Sequence, residues 1–378
     1  MKISLTTLRY LLSLIVYYFS IHAVHADEVD EYFNVATIDF VKGYATIYPG
    51  NDTVLALFAK RGMKIIEKDL IITGDDGFIS MSFSTGTVVN IQPLSKISIE
   101  QINCKKKSDL CQVVLKAVEG NLNANVESQT DYESQFTIET PYASAAVRGT
   151  KFDVDVNDDR LLTGVTEGQV DVRSELGTVE LPANFGTRVQ TDQPPTTPKP
   201  LLSAPTIIPK AVRYDSDGEF AWNKVTKTNQ YLVSLSNAFG LIYSKKQTNT
   251  RHSLNALNVG SYLAQVRAID EDGFKGQCTE YEFDVVKIDK STSGPTLTTT
   301  LEASEYTVLV EPQNATANLI ELQFSATKYF EIPVNLDVIA GEVGYSYRAG
   351  NSIYVRARSI LNNTTVTPYG PTVEVPGT

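Results

Sequence analysis

Cys104 and Cys111 stand with six residues between them, bracketing the polar run Lys105-Lys106-Lys107-Ser108-Asp109-Leu110. Strand-like stretches, residues 97–102 and 113–118, flank the run on either side. In an oxidising compartment this spacing suits a disulfide across the loop of a hairpin. In the chain-entropy treatment, closing so short a loop contributes about 2.5 kcal/mol, less any strain. The alternative is two free thiols. Cys278 is left over and is expected to lie buried in a strand.

Other chemistry is sparse. Of three histidines, His22 and His25 fall in the N-terminal segment, which leaves His252 alone in the body of the chain. A histidine triad, a zinc cluster or a histidine general base therefore lacks its parts. There is no Gly-x-Ser-x-Gly elbow, no P-loop and no dinucleotide fingerprint. A carboxylate pair could serve a glycosidase, but among 44 Asp and Glu no pair stands out. Three acidic glycine turns, Gly74-Asp75-Asp76-Gly77, Asp215-Ser216-Asp217-Gly218-Glu219 and Asp270-Glu271-Asp272-Gly273, lack the ligand spacing of a calcium loop and read as turns between strands. Catalytic, cofactor and metal residues are thus expected to be none.

One charged residue interrupts an apolar run: Val147-Arg148-Gly149-Thr150-Lys151-Phe152. Gly149 can adopt backbone angles closed to other residues, so a bulge or sharp bend is expected there. Arg148 sits among small apolar residues, and its guanidinium would need a carboxylate or carbonyls nearby. The expected role is structural; the alternative is an arginine facing a ligand.

The elements that position these residues read as strands throughout. Beyond residue 26 the pattern alternates at period two, broken by Gly, Asn and Asp, with no long helical period. Ile79, Met81 and Phe83 point one way, Ser84-Thr85-Gly86 turns, and Val89 and Ile91 return. Residues 135–139, 152–156 and 168–172 are further short strands. Such density predicts an all-β, multidomain chain of sandwiches, barrels or β-solenoids rather than a βαβ fold.

Residues 191–200 contain four prolines in ten positions and are expected to form an extended, stiff spacer. Residues 289–300 form a softer break. The expected domains are 1–26, 27–190, 201–288 and 301–378. The last two look like repeats: Tyr231-Leu232-Val233 aligns with Ile320-Glu321-Leu322, and Val266-Arg267-Ala268 with Val355-Arg356-Ala357, at one offset of 89.

The first 26 residues have the form of a secretory signal: Lys2 and Arg9, an apolar stretch over residues 10–21, then Val24-His25-Ala26 before Asp27. The alternative is an uncleaved membrane anchor. No later segment is apolar enough to span a bilayer. Without residues 1–26 the chain carries 31 Lys and Arg against 44 Asp and Glu, a net charge of −13, which argues against nucleic acid as partner.

Residues 34–190 resemble the FecR family. The resemblance rests on the order of Val41-Lys42-Gly43, Gly62 to Thr73, the hairpin at 79–91, Gln92-Pro93-Leu94-Ser95, the block Thr140-Pro141 to Arg148-Gly149-Thr150-Lys151-Phe152, Glu167-Gly168-Gln169-Val170, and Gly186. It implies a periplasmic β domain. FecR-type regulators place a cytoplasmic anti-sigma region and a membrane span before that domain; here a signal-like segment precedes Asn34, so direct sigma-factor regulation is not expected. Residues 201–288 and, less closely, 301–378 resemble fibronectin type III modules, with Trp222 as the core tryptophan of the second strand, the third strand beginning at Tyr231, and Tyr262 as the core tyrosine of the sixth.

Together these readings predict an exported, non-enzymatic binding or scaffold protein of a Gram-negative cell envelope, located in the periplasm and contacting an envelope protein or glycan. The alternatives are a surface adhesin or structural component, displayed or secreted, and a carbohydrate-active enzyme. The expected mature chain begins at Asp27. Intact-mass measurement on protein purified from envelopes checks this, and a mass that includes residues 1–26 would instead mark an anchored form.

Overall fold

In a computed structural model the described residues are 34–376, apart from 53, 105–109, 129–133, 209–211, 303–304, 312–318, 331–332, 340, 346–351 and 363. The predicted signal segment and most of the loop between Cys104 and Cys111 lie outside them. The described residues are all-β, with one short 3-10 turn at Pro49–Asn51.

Residues 36–200 build two sheets, nine strands each, that share one strand. The first sheet runs in space Lys64–Ile65, Ala36–Lys42, Phe78–Phe83, Val88–Ile91, residues 120–125, Lys151–Val156, Arg160–Glu167, Phe185–Gln190 and Lys199–Pro200. The second runs Leu57–Phe58, Ala45–Tyr48, Leu70–Thr73, Lys96–Cys104, residues 112–119, Gln135–Glu139, Ser144–Val147, Gln169–Ser174 and Gly177–Pro182. The shared strand is Cys111–Asn125. Alternate residues of both sheets point inward and make one core, including Ile79, Met81, Ile97, Leu115, Phe136, Phe152 and Val154. Burying that apolar surface drives the pairing of the sheets.

The shared strand changes sheet at Gly120, whose φ is +103°. A Cβ there would stand 2.2–2.4 Å from Ser95 atoms, including its Cα. Ser95 Oγ accepts the Asn121 amide at 3.0 Å, so the two crossings are stitched together. The Arg148-Gly149-Thr150 block is another such corner, between Ser144–Val147 in one sheet and Lys151–Val156 in the other. This is the bend expected at Gly149, whose φ is +61°. Cys104 and Cys111 are register partners at the end of their hairpin and are joined by a disulfide.

Two immunoglobulin-like sandwiches follow. In the first, Ile207–Ile208, Glu219–Trp222 and Arg251–Ser253 face a sheet of Gly240–Gln247, Thr228–Asn237, Gly260–Asp270 and Lys275–Ile288. Trp222 packs on Tyr231 with ring centroids 5.5 Å apart, and the Tyr262 hydroxyl donates to the Asn258 carbonyl at 2.7 Å, tying its strand to the preceding loop. In the second, Leu319–Ser325 pairs with Ile353–Asn362, the counterparts of Thr228–Asn237 and Gly260–Asp270. The copies differ in register by two residues: Val233 faces Val266, but Leu322 faces Ala357. A two-residue slip keeps every side chain on its own face.

The breaks between modules differ from expectation. Residues 191–200 are extended but lie along the sheet: Thr196 N donates to Arg188 O at 2.9 Å, and Lys199–Pro200 pairs with Phe185 and Gly186. Residues 289–300 are shorter as a break than composition suggests, because Thr296–Glu302 is already a strand, paired with Glu305–Glu311. Lys287 and Ile288 also pair in parallel with Thr365 and Val366, so one sheet continues from the second module into the third.

Gly120→Ala is expected to destabilise the first domain by about 2 kcal/mol or more, since it adds a strained φ and a backbone clash. Urea unfolding of the full chain checks this, with Gly50→Ala, where a Cβ would meet nothing within 4 Å, as the comparison.

Candidate functional site

The family-motif residues serve the corners. Thr150 is buried, and its hydroxyl donates to Gln169 O at 2.9 Å while accepting Gln169 N at 3.3 Å. It thereby zips the Arg148-Gly149 corner to the Glu167-Gly168 corner. Thr140 Oγ1 donates to Ala143 O at 2.7 Å and accepts the Tyr142 and Ala143 amides, closing the turn that carries Pro141. Phe152 is fully buried. Glu167 pairs with Lys151 at 2.9 Å, both exposed. Arg148 itself is exposed at its corner.

The acidic glycine turns are likewise occupied by their surroundings. Asp76 Oδ1 accepts Tyr44 N at 2.9 Å. Asp215 meets Arg358 at 3.2 Å. Asp270 caps its own turn through Asp272 N and Phe274 N, and meets Lys199 at 2.9 Å. His252 lies between Phe220 and Tyr243, and burial lowers its pKa. Cys278 is half-buried in the Lys275–Ile288 strand, and burial pushes its thiol up to about 11.

A cleft of about 820 Å³ lies where the first domain meets the second. One wall is the outer face of the sheet formed by Val88–Ile91, residues 120–125 and Lys151–Val156. The other is the face of Thr228–Asn237, Gly260–Asp270 and Lys275–Ile288. Asn121, Asn123 and Asn125 occupy alternate positions on the first wall, with Asn90 opposite Asn123 in the register.

The cleft closes on a buried cluster of charges. Asp153 Oδ2 lies 2.6 Å from the Arg267 guanidinium, and Oδ1 lies 3.6 Å from Lys275 Nζ. The Arg267 contact is off the ideal hydrogen-bond line, so Arg267 acts there as a charge more than as an aligned donor. Asn123 donates to Asp153 at 3.3 Å, Lys275 to Asn121 Oδ1 at 2.5 Å, and Asn121 to Asp155 at 2.7 Å. Burial alone would raise the Asp153 pKa, but the Arg267 and Lys275 charges outweigh it and hold the carboxyl below the usual carboxylate range. For Lys275 burial dominates and lowers its pKa, with Asp153 opposing. Around this core, Leu162, Leu201 and Phe274 form an apolar contact between the domains, and Arg188 lies 3.6 Å from Asp272.

Charges in the cleft nearly balance. Lys151, Lys245, Lys246, Arg267 and Lys275 stand against Asp153, Asp155, Glu167 and Glu280. Sequence reasoning did not find Asp153, Arg267 or Lys275. The one available signal was Lys275, a cation at a buried strand position.

Residues 69–171 match the family model described as FecR protein. That match spans the shared strand, the Arg148 corner and the Asp153 wall of the cleft. Among solved structures, the chain is similar to a protein from Parabacteroides distasonis provisionally described as an anti-sigma factor, at 22% identity over 35% of this chain and 59% of that one, with a TM-score of 0.29. The chain thus spans 59% of that protein's length. It is also similar to the FN1–FN3 domains of chicken CNTN1, at 14% identity over 59% of this chain and 96% of that one, TM-score 0.22. A two-domain fibronectin type III segment of chicken tenascin matches at 13% identity over 45% and 97%, TM-score 0.20. No curated protein matches the chain. Among the described residues no helix is long and apolar enough to cross a membrane.

Asp153→Ala leaves Arg267 and Lys275 buried without their anion, a loss of about 3–5 kcal/mol for a buried pair. The expected outcome is separate melting of the first domain and the later modules, where the parent melts them together; calorimetry checks this. Because the Asp153 pKa is lowered on folding, its contribution is present above the unfolded carboxylate value of about 3.9 and is lost as pH falls below it. The parent's coupling should therefore persist at neutral pH and fail in acid, whereas the variant should show no such step.

Proposed function

We propose that this chain is an exported, non-catalytic binding protein of the Gram-negative cell envelope, in which the FecR-like domain and the first fibronectin-like module together form one ligand cleft. The observation that carries this reading is the cleft itself. Its volume of about 820 Å³ lies in the range of ligand sites, and amides and balanced charges line it. Its deepest carboxylate, Asp153, is committed to Arg267, Lys275 and Asn123, so it stays anionic and neither gives nor takes a proton. His252 lies elsewhere, in the aromatic core of the second module. These features support binding rather than turnover. The signal-like segment and the FecR match support an envelope location, and the locked modules support a scaffold role.

The test is site-specific photocrosslinking in intact cells, with the photoreactive residue placed at Asn125 or Gln277 in the cleft, or at Glu180 on the outer face of the other sheet. A discrete envelope adduct from the cleft positions alone is expected. Adducts only from Glu180, or none from any position, would overturn the cleft reading. Protease shaving of the same cells reports location: cleavage without disrupting the outer membrane would mark a displayed adhesin instead.

A further inference from the structure

The ligand class can be read more finely from the cleft wall, given that the cleft is the binding site. Asn121, Asn123 and Asn125 alternate along one strand, so all three side chains leave the same sheet face. At a rise of about 3.4 Å per residue they recur every ~7 Å. Asn90, the register partner of Asn123 on the neighbouring strand, adds a fourth amide beside them. Asn121 is spent on Asp155 and Lys275, and the Asn123 amino group on Asp153. Among the described residues, no protein group takes the side-chain amides of Asn90 and Asn125, and both line the cleft.

An asparagine side chain offers one carbonyl and one amino group, the same pair that each peptide unit offers. An extended polypeptide turns its main-chain groups to one side at alternate residues, so their repeat along the chain is the same ~7 Å. The ladder and such a chain therefore match in spacing and in hydrogen-bond type without any reference to side-chain identity. On the opposite wall Leu232 and Ser234 also alternate, in register with Arg267 and Gln265. Ser234 is held by Ser244 at 3.0 Å and Gln265 by Glu280 at 2.8 Å, so that wall is already ordered.

The other polymer classes fit less well. A polyanion would meet the cleft's four carboxylates and a polycation its five cations. Hexose rings dock on flat aromatic faces, and the lining holds one aromatic residue, Phe78. We propose that the cleft binds an extended, uncharged segment of another protein through its main chain, with Asn90, Asn123 and Asn125 as the recognising groups.

The test uses the full chain and two sets of probes: a library of capped twelve-residue peptides made from neutral residues, and the oligosaccharides chitohexaose and maltohexaose. Selected peptides are measured by titration calorimetry. Peptide binding is expected to survive scrambling of the peptide sequence but to be lost when alternate main-chain nitrogens are methylated. Asn90→Ala combined with Asn125→Ala should weaken it about tenfold, as the loss of two ordinary hydrogen bonds implies. The melting point should stay unchanged, since among the described residues neither side chain has a protein partner. Tolerance of methylation, or no peptide bound at all, would overturn the proposal. Oligosaccharide binding that the double variant weakens would overturn it while leaving the cleft as the binding site. Binding of any probe that the double variant leaves untouched would overturn both.

Discussion

The arrangement of the molecule depends on how the charge of Asp153 is neutralised. A carboxylate taken out of water is costly unless cations and donors surround it. Here Asn123 comes from its own domain, and Arg267 and Lys275 come from the next. The first domain cannot keep this acid buried and ionised without the second module in place. That condition sets the path of residues 191–200, which must end where Leu201 joins Leu162 and Phe274. It also sets the width of the cleft, whose two walls are fixed at the same point.

The junction between the second and third modules follows the same logic with other residues. Glu321 is buried beside Arg213 at 3.0 Å and Arg358 at 3.2 Å, and it accepts the Tyr369 hydroxyl at 2.5 Å. Arg358 also reaches Asp215, and Arg213 reaches Asp337 at 2.8 Å. Arg213 and Asp215 belong to the second module and the other residues to the third. Each junction thus buries an acid whose partners include at least one cation from the adjoining module.

Within each module the sequence was legible because period-two alternation reports directly which face is buried. Ile79, Met81 and Phe83 point into the core as read, and the strand pairs marked by the 89-residue offset are present in both sandwiches. Strand ends were less legible. The strand expected from residue 168 begins at Gln169, because Gly168 is itself the corner. The junctions were not legible at all. In Lys151–Val156 the core takes Phe152, Val154 and Val156, and Asp153 and Asp155 read as an ordinary solvated face. Alternation says which face leaves the core, not whether another module covers it. Arg148 is exposed although its neighbours in sequence are apolar, because a corner residue does not share their environment.

The parallel pairing of Lys287 and Ile288 with Thr365 and Val366 has a mechanical consequence. A flexible tether between two sandwiches lets each swing until the slack is taken up, and tension then reaches one module at a time. Here the last residues of one module are hydrogen-bonded into the sheet of the next, above a small apolar contact of Val286, Ile360 and Val366. Tension along these strands loads their cross-strand bonds in shear, so the bonds resist together instead of opening one after another. A swing of the third module against the second must therefore break these bonds and uncover that contact.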